Sequence, residues 1–445
     1  MNTIKLSLKN LTRQKRRNAT LALAIAFGFL VVTFIDTFTT GIVGNLENQV
    51  TQLVGGTVLV QGLEKNPPKG DEKKSTIVNI MRDQNYIRNI VEKSGINYSS
   101  MAHYSRTGAT LLFEGNKSIA TIYGRELQNQ DFIDSLQFIE GSKENLSLPN
   151  TIIISEKTSE ALNVHLDDTV ILKTTTIYGQ NTVEDFVVRG IIKGNSFIST
   201  IMAYTDIKDL NRIIELPEDG YSLFTIFLEN KADQYRLANY IENAIRKDGN
   251  NVTSREEALK TNPNNIGKGL EKQITPEEIQ WEGVKYGVET LYDELPQLVT
   301  VFAIVHGVTF SILLVILLIV MVGVANTYKM VLFERIKEIG TMRALGMTGS
   351  SVKSLFRNEA VLLCIIGACA GLILDLIISL IMSNITVTNE MLAPFLYKGH
   401  FTFKVSVVSI VLQYLMLILF TILAVRKVAS KASKMSPAEA LSTVK

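Results

Sequence analysis

Four long apolar runs interrupt an otherwise mixed chain. They are ATLALAIAFGFLVVTFI (19–35), a stretch within VFAIVHGVTFSILLVILLIVMVGVA (301–325), AVLLCIIGACAGLILDLIISLIM (360–382) and VSVVSIVLQYLMLILFTILAV (405–425). Each is close to the ~20 residues a helix needs to cross a bilayer core. The first run lacks a small-residue cleavage site and a helical pattern continues past it, so it reads as an uncleaved anchor rather than a signal peptide.

Between the first and second runs the period changes. Strand-like stretches are TVLVQG (57–62), ATLLFEG (109–115), SIATIYG (118–124), TIIIS (151–155), TVILKTT (169–175), DFVVRGII (185–192) and YSLFTIFLE (221–229). Helix-like stretches fall at 76–93, 156–164, 205–214 and 234–248, with turn residues between them. The fold class expected is therefore an α-helical membrane protein with four transmembrane helices plus a large extracytoplasmic mixed α/β domain. At the near end of that domain, Ile42, Leu46, Val50, Leu53 and Val54 share one helical face. At the far end, VETLYDELPQLVTVF also reads as helical and continuous with the second span. These ends are either ordinary juxtamembrane helices or a paired helical stalk. Residues 250–287 are polar and irregular and hold the one tryptophan, Trp281; they are a surface insertion or a partner-binding element.

Composition narrows the class. Hydrophobic residues make up 46% of the 445, concentrated in blocks, which places the chain among membrane proteins. A net charge of +2 gives no reason to expect nucleic acid. Both cysteines, Cys364 and Cys369, lie in the third apolar run, which excludes a disulfide framework. The histidines at 103, 165, 306 and 400 have neither metal-ligand nor triad spacing.

Lys and Arg set the expected orientation. Lys5, Lys9, Arg13, Lys15, Arg16 and Arg17 precede the first run, and Lys329, Arg335, Lys337, Arg343, Lys353 and Arg357 lie between the second and third. Arg426, Lys427, Lys431, Lys434 and Lys445 follow the fourth, whereas the 383–404 connector has only Lys398 and Lys404. Both termini and the 326–359 connector are expected in the cytoplasm, with 36–300 and 383–404 outside.

The connector holds FERIKEIGTMRALGM (333–347). A helix over this stretch puts Phe333, Ile336, Gly340, Ala344 and Met347 on one face, with Glu334, Lys337 and Glu338 largely opposite. Gly346 and Gly349 end it. Acids and bases are balanced, which suits a protein partner better than a bilayer surface, where basic residues dominate.

ERIKEIGTMRALGMTGSSVKSLFRNEAVLLCIIGACAGLIL resembles the signature of the MacB/FtsX/LolC-type (type VII, mechanotransmission) ABC transporter permeases. Arg335, Glu338, Ile339, Gly340, Arg343, Ala344, Leu345 and Gly346 match its R-x-x-E-I-G-x-x-R-A-[LV]-G pattern, and Glu359-Ala360 its later E-A pair. KMSPAEAL resembles the family ending, and IKLSLKNLTRQKRR its amphipathic entry helix. The organisation implied is a cytoplasmic entry helix (1–18), transmembrane helix 1 (19–43) and a MacB-like periplasmic core on stalk helices (44–296). Transmembrane helix 2 (297–327), the coupling helix and connector (328–358) and transmembrane helix 3 (359–383) follow. A short outer loop (384–404), transmembrane helix 4 (405–426) and a cytoplasmic tail (427–445) complete it.

The resemblance implies a non-catalytic permease subunit of a bacterial inner membrane. Glu334, Arg335, Lys337, Glu338, Ile339, Gly340, Arg343, Ala344, Leu345 and Gly346 would dock a separate ABC ATPase, two copies of which would serve a dimer of this chain or a pair with a related permease. No G-x-x-x-x-G-K-[ST] loop is present, so ATP and Mg would be bound by the partner and no cofactor by this chain.

In the third run Gly367 and Gly371 form a small-xxx-small ladder whose next position is Asp375, where the family usually has a small residue. A carboxyl at that depth is either a functional group or a neutral packing residue hydrogen-bonded to a neighbouring helix near Gln413 or Ser409. Asp36 and His306 are expected at the outer edge.

For cargo, ISEKTSEALNVHLDDTVIL (154–172) resembles a LolC/LolE segment with Asp167 in place of a glycine, which points to lipoprotein release to a periplasmic carrier. ATP is needed for that work: at ~0.8 kcal/mol per CH₂, three acyl chains of ~15 carbons hold on the order of 35 kcal/mol. The LolC-type proline-containing hook is missing from KTTTIYGQNTVEDFVV (173–188). MacB-like efflux of drugs, peptides or toxins, and FtsX-like activation of a cell-wall hydrolase, are the alternatives.

Overall fold

A computed structural model describes residue 7 and residues 15–66, 76–128, 130–142, 145, 146, 148–194, 202–255, 281–389, 392, 395–397 and 399–434. Most of the expected entry helix, the KMSPAEAL ending and residues 256–280 lie outside this set. In chain order the elements are α1 (Lys15–Val54), β1 (Val58–Asn66), β2 (Thr76–Asn79), α2 (Gln84–Lys93), β3 (Tyr98–Phe113), β4 (Asn116–Arg125), α3 (Gln130–Ser135), β5 (Phe138–Gly141) and β6 (Thr151–Ser155). They continue with α4 (Glu156–Leu162), β7 (Thr169–Thr175), β8 (Asn181–Ile192), β9 (Met202–Asp206), α5 (Ile207–Ile213), β10 (Leu223–Leu228), α6 (Gln234–Lys247), β11 (Asn251–Thr253) and β12 (Val284–Thr290). The last are α7 (Leu291–Glu294), α8 (Pro296–Glu334), α9 (Ile336–Ala344), α10 (Gly349–Ser383) and α11 (Val407–Lys434). The chain divides into two compact units, Met1–Asn45 with Phe302–Lys445, and Leu46–Val301.

The first unit is helical. Its core joins Ile25, Phe29 and Val32 of α1 to Leu317 and Val324 of α8, Phe356 and Leu363 of α10, and Leu417 and Val425 of α11. Outward-facing Phe27, Ile319, Leu380 and Val408 are apolar yet exposed. That is what a helix does when lipid is its solvent. Among the described residues, four helices are long and apolar enough to cross a membrane: Asn18–Gln52, Pro296–Val331, Gly349–Ser383 and Val407–Ser430. At ~1.5 Å per residue, the 40 residues of α1 and the 39 of α8 exceed the ~30 Å hydrocarbon thickness.

The second unit is a mixed α/β domain. Its sheet runs β11-β12-β1-β10-β3-β4-β9-β6-β8-β5, with β2 beside β1 and β7 beside β3 and β8. The 16-residue β3 is shared between two halves. Tyr98 to Tyr104 pairs with β10, and Ser105 to Phe113 with β4. Each half has its own core. Val60, Phe224 and Ile226 pack against α2 and α6, while Leu111, Ile152, Phe186 and Val188 pack against α4 and α5. Strand β7 alternates buried and exposed residues strictly, as a half-buried strand should.

Two expectations change. The helix over 76–93 is a strand, β2, followed by α2, which starts after Asp83 caps the Asn85 N–H at 2.9 Å. β-branched Thr76, Ile77 and Val78 favour the strand, and β1 offers its free edge. The far end of the domain is not one helix running into the second span. β12 ends at Thr290, α7 is a single turn under a Thr290–Asp293 capping box, and α8 restarts at Pro296. Proline suits that first helical position because its missing N–H has no partner there anyway. Of the apolar face on α1, Val50 and Val54 are buried against Leu59, Tyr104 and Leu291, while Ile42 and Leu46 are half-buried.

A buried carboxyl lies on β12. Glu289 accepts from Gln61 Nε2 at 3.0 Å. Burial, then the neighbouring Glu294 and Asp293, push its pKa up to about 8.

Candidate functional site

The polar connector folds as a short helix hung between two long ones. α8 ends at Glu334 and α9 begins at Ile336, so the stretch expected to be one helix is bent at Arg335, whose φ is −100° and ψ 12°. Gly346, at φ 95°, ends α9, and Thr348 caps α10. The left-handed conformation at Gly346 suits a residue without Cβ.

Arg335 faces inward. It is 7% exposed and donates through Nε to Glu338 Oε2 at 2.9 Å and through Nη1 to Glu359 Oε2 at 2.8 Å. Glu359, on α10, is itself buried. Burial opposes the guanidinium's charge, but Glu359 and Glu338 outweigh it and raise the pKa above the usual arginine value. Ile336, Ile339 and Gly340 are buried on the same side. The face differs from the expected one, because the bend assigns Phe333 to α8 and leaves it exposed, and Ala344 is exposed too. Lys337, Glu338 and Leu345 present an outward surface, with Leu345 84% exposed. Arg343 is half-buried at its edge. Arg335 thus supports this surface from behind, and Glu334, expected on one face with Lys337 and Glu338, ends α8 one position before the bend.

The glycine ladder on α10 meets α1. A Cβ on Gly367 would lie 2.8 Å from the Ala22 carbonyl oxygen, and one on Gly371 2.5 Å from that of Ala26. Asp375 continues this face and is fully buried. Ser379, one turn along the same helix, donates to its Oδ1 at 3.2 Å. The expected bond to Ser409 is not there, because Ser409 donates to Asp36 of α1 and accepts from Gln413 Nε2 at 3.2 Å. Thr33 of α1 also hydrogen-bonds to Asp375, and its hydroxyl lies within 3.0 and 3.1 Å of the carbonyls of Phe29 and Leu30.

On the other side of α1, an apolar groove of about 440 Å³ lies against α8, lined by Leu21, Ala24, Phe27, Gly28, Ile316 and Val320 among others. Thr327 supplies its one polar side chain.

A family profile described as the MacB-like periplasmic core domain matches residues 19–244, and another, FtsX-like permease C-terminal, matches residues 310–437. The chain belongs to the MacB/FtsX family of ABC permeases. It is 28% identical over 188 residues to the macrolide export ATP-binding/permease protein MacB of Bordetella avium, a match covering 42% of this chain and 27% of that one. It is 33% identical over 120 residues to the protein of the same description from Mannheimia succiniciproducens, covering 27% and 17%. The matched segments thus span well under half of these relatives. Among solved structures, the periplasmic region of MacB from Actinobacillus actinomycetemcomitans is similar at 14% identity and a TM-score of 0.28, covering 45% of this chain and 88% of that one. The extracellular domain of YknZ, a noncanonic ABC-type transporter from Gram-positive bacteria, is similar at 15% and 0.27, covering 43% and 94%.

This MacB/FtsX permease is thus a multi-pass membrane protein with an α/β core of periplasmic type, and an ABC ATPase is the kind of partner such permeases work with. Sequence reasoning picked out the coupling motif and the ladder but missed three things. It took the E-A pair as a motif without seeing that Glu359 anchors Arg335, it left Asp36 and Gln413 in separate places, and it overlooked Glu289. The E-A pair was the one available signal for the first; nothing local marks Glu289 as buried.

Proposed function

We propose that this chain is the membrane subunit of an ABC transporter that turns ATP hydrolysis by a separate ATPase into movement of its outer domain, and that its work is to extract lipoproteins from a bacterial inner membrane. The observation that carries the first part is α9, a short helix with an outward polar surface, held to α10 from behind by Arg335 and Glu359. Lys337, Glu338, Ile339, Gly340, Arg343, Ala344, Leu345 and Gly346 form or shape the docking helix, with Glu334 and Arg335 at its root. ATP and Mg are held by the partner, and two ATPase copies serve a pair of permeases. Both termini lie in the cytoplasm and the large domain in the periplasm, as the Lys and Arg distribution favours.

The second part is supported by the 154–172 segment, whose turn takes the conformation its motif requires. Asp167 sits at φ 69° where the pattern has glycine, and pairs with Arg189. The apolar groove between α1 and α8 also has the chemistry to hold an acyl chain within the bilayer. The connection between β7 and β8 is a tight turn closed by Thr176 N–H to Gln180 O at 2.8 Å, so hand-off to a carrier would use another surface. Export of macrolide-like compounds is the second reading, favoured by the names of the MacB relatives.

The test is purification of the complex with its ATPase, mass spectrometry of co-purified protein, and ATPase assays with triacylated peptide or a macrolide. Co-purified lipoprotein and stimulation by the lipopeptide are expected. Stimulation by the macrolide alone would replace the cargo assignment with export.

A further inference from the structure

Residues 399–404, between α10 and α11, form a strap along the outer part of α1, with the two backbones in touch. The Lys404 N–H donates to the Thr37 carbonyl at 3.1 Å, and the Thr402 hydroxyl to that of Gly41 at 3.2 Å. Asn45 Nδ2 donates in return to Thr402 Oγ1 at 2.6 Å. The approach requires glycine at position 41, where a Cβ would stand 1.8 Å from the Thr402 carbonyl oxygen. Phe34 and Phe38 of α1 pack on Phe401 and Phe403 of the strap, with ring centroids 5.4, 5.5 and 5.6 Å apart.

Ala22, Ala26, Thr33, Thr37 and Gly41 recur every four or seven residues, which is one face of a helix. Below the strap this face is held by contacts that lipid cannot replace. Gly367 and Gly371 of α10 approach the carbonyls of Ala22 and Ala26, Thr33 bonds to Asp375, and Ser409 of α11 donates to neighbouring Asp36. The side of α1 toward α8 is different. Val320 lies over Gly28, while Leu313, Leu317 and Val324 fill the shared core and Thr309 reaches Thr39 at 3.4 Å. The apolar groove runs along the same seam. Apolar packing between helices gains little in a bilayer, because acyl chains are as apolar as the side chains they would replace. Hydrogen bonds and close backbone approach have no such substitute. The other end of α8 is fixed, since Arg335 follows it directly and binds Glu359 of α10.

We propose that residues 399–404 are a clamp that makes α1, α10 and α11 one rigid body, and that α8 is the helix that swings against this body about its Arg335 end. α8 exchanges side-chain contacts for lipid as it moves. α1 cannot leave the clamp without giving up polar and backbone contacts.

The test is pulsed electron-spin resonance between nitroxide labels on the full-length protein in lipid nanodiscs, carrying Cys364→Ala and Cys369→Ala. Gly44→Cys places one label on α1 at a position where a Cβ meets nothing within 4 Å. It is paired with Val408→Cys on α11 or with Ile304→Cys on α8, both exposed positions. The α1–α11 distances should form one narrow peak, and the α1–α8 distribution should be about twice as wide. Gly41→Ala forces the strap away and should widen the α1–α11 peak. Thr402→Val removes the strap hydroxyl without adding bulk to α1 and should widen it too, so the test does not depend on Gly41→Ala folding. An α1–α8 distribution as narrow as the α1–α11 one would overturn the swing. An α1–α11 peak that is broad in the parent, or unmoved by both variants, would overturn the clamp. Neither ATPase nor cargo is needed, so the outcome is independent of the transport assignment.

Discussion

Arg335 Nη1 donates to Glu359 Oε2 at 2.8 Å across 24 positions of sequence, and both side chains are under a tenth exposed. A buried pair of this kind is costly to break by halves, because the survivor stays buried without its opposite charge across α9 and α10. Arg335→Ala or Glu359→Ala alone should lower stability by about 3–5 kcal/mol. The double replacement with Met at 335 and Leu at 359 should recover much of that loss. Thermal unfolding in detergent, with membrane abundance as a control, measures both; equal losses in single and double variants would show that the pair is not coupled.

The outward face of α9 can be altered without touching its anchor. Leu345→Asp places a charge at the 84%-exposed position 345, which no other described residue covers, and should weaken ATPase association about tenfold, ~1.4 kcal/mol, with normal folding. Reversing Arg343 or Glu338 should lower ATPase stimulation in the same assay. The Glu338 result must be read beside the Arg335 variants, since Glu338 also accepts from that guanidinium. Unchanged stimulation in Leu345→Asp and Arg343→Glu would remove the coupling assignment.

Glycines on the membrane helices should respond unequally to alanine. A methyl group at Gly371 would stand 2.5 Å from the Ala26 carbonyl oxygen, which is backbone and cannot swing away. Gly371→Ala should therefore cost about 1–3 kcal/mol. Gly323→Ala, with nothing within 4 Å of the new atom, should be neutral or slightly stabilising. Melting temperatures of the two purified variants give the comparison.

Glu289 predicts a pH effect confined to the α/β domain. Its folded pKa, about 8, lies above the unsupported value of 4.5, so the folded state holds an extra proton between those values. Stability from this group is complete below 4.5 and falls as pH rises toward 8. Hydrogen-exchange protection factors of β12 and α7, with the intrinsic pH dependence divided out, should fall across that window in the parent protein and stay flat in Glu289→Gln, which keeps a partner for Gln61.

The membrane half was the more legible part of the sequence. Long apolar runs have one stable answer in lipid, and a glycine every fourth residue shows where a neighbour comes close. Strands β6 and β7 were equally plain, because dense β-branched residues and strict alternation left no competing period. The start of β3 was not, since YSSMAHYSRTG is polar and its register is supplied by β10 and β4 from far along the chain. The partner of Arg335 was hidden for a related reason. A charge in a polar connector looks solvated until the fold delivers Glu359 to it from 24 positions away, and the E-A pair names that glutamate without saying what it meets.

The shared strand β3 has a consequence for how such domains can be recombined. Its first half answers to β10 and its second half to β4 and β7, so a crossover between homologous genes inside Tyr98–Phe113 would give each core a mismatched partner. The turn at Thr176–Gln180 is the opposite case. It joins two antiparallel neighbours, β7 and β8, and its own closing bond is local apart from the Ile177 N–H to Ile214 O contact at 2.9 Å. A longer loop inserted at Gly179, past Ile177, which packs on one core, would leave both cores intact, which makes this turn a natural junction for grafting a recruitment arm onto the same chassis.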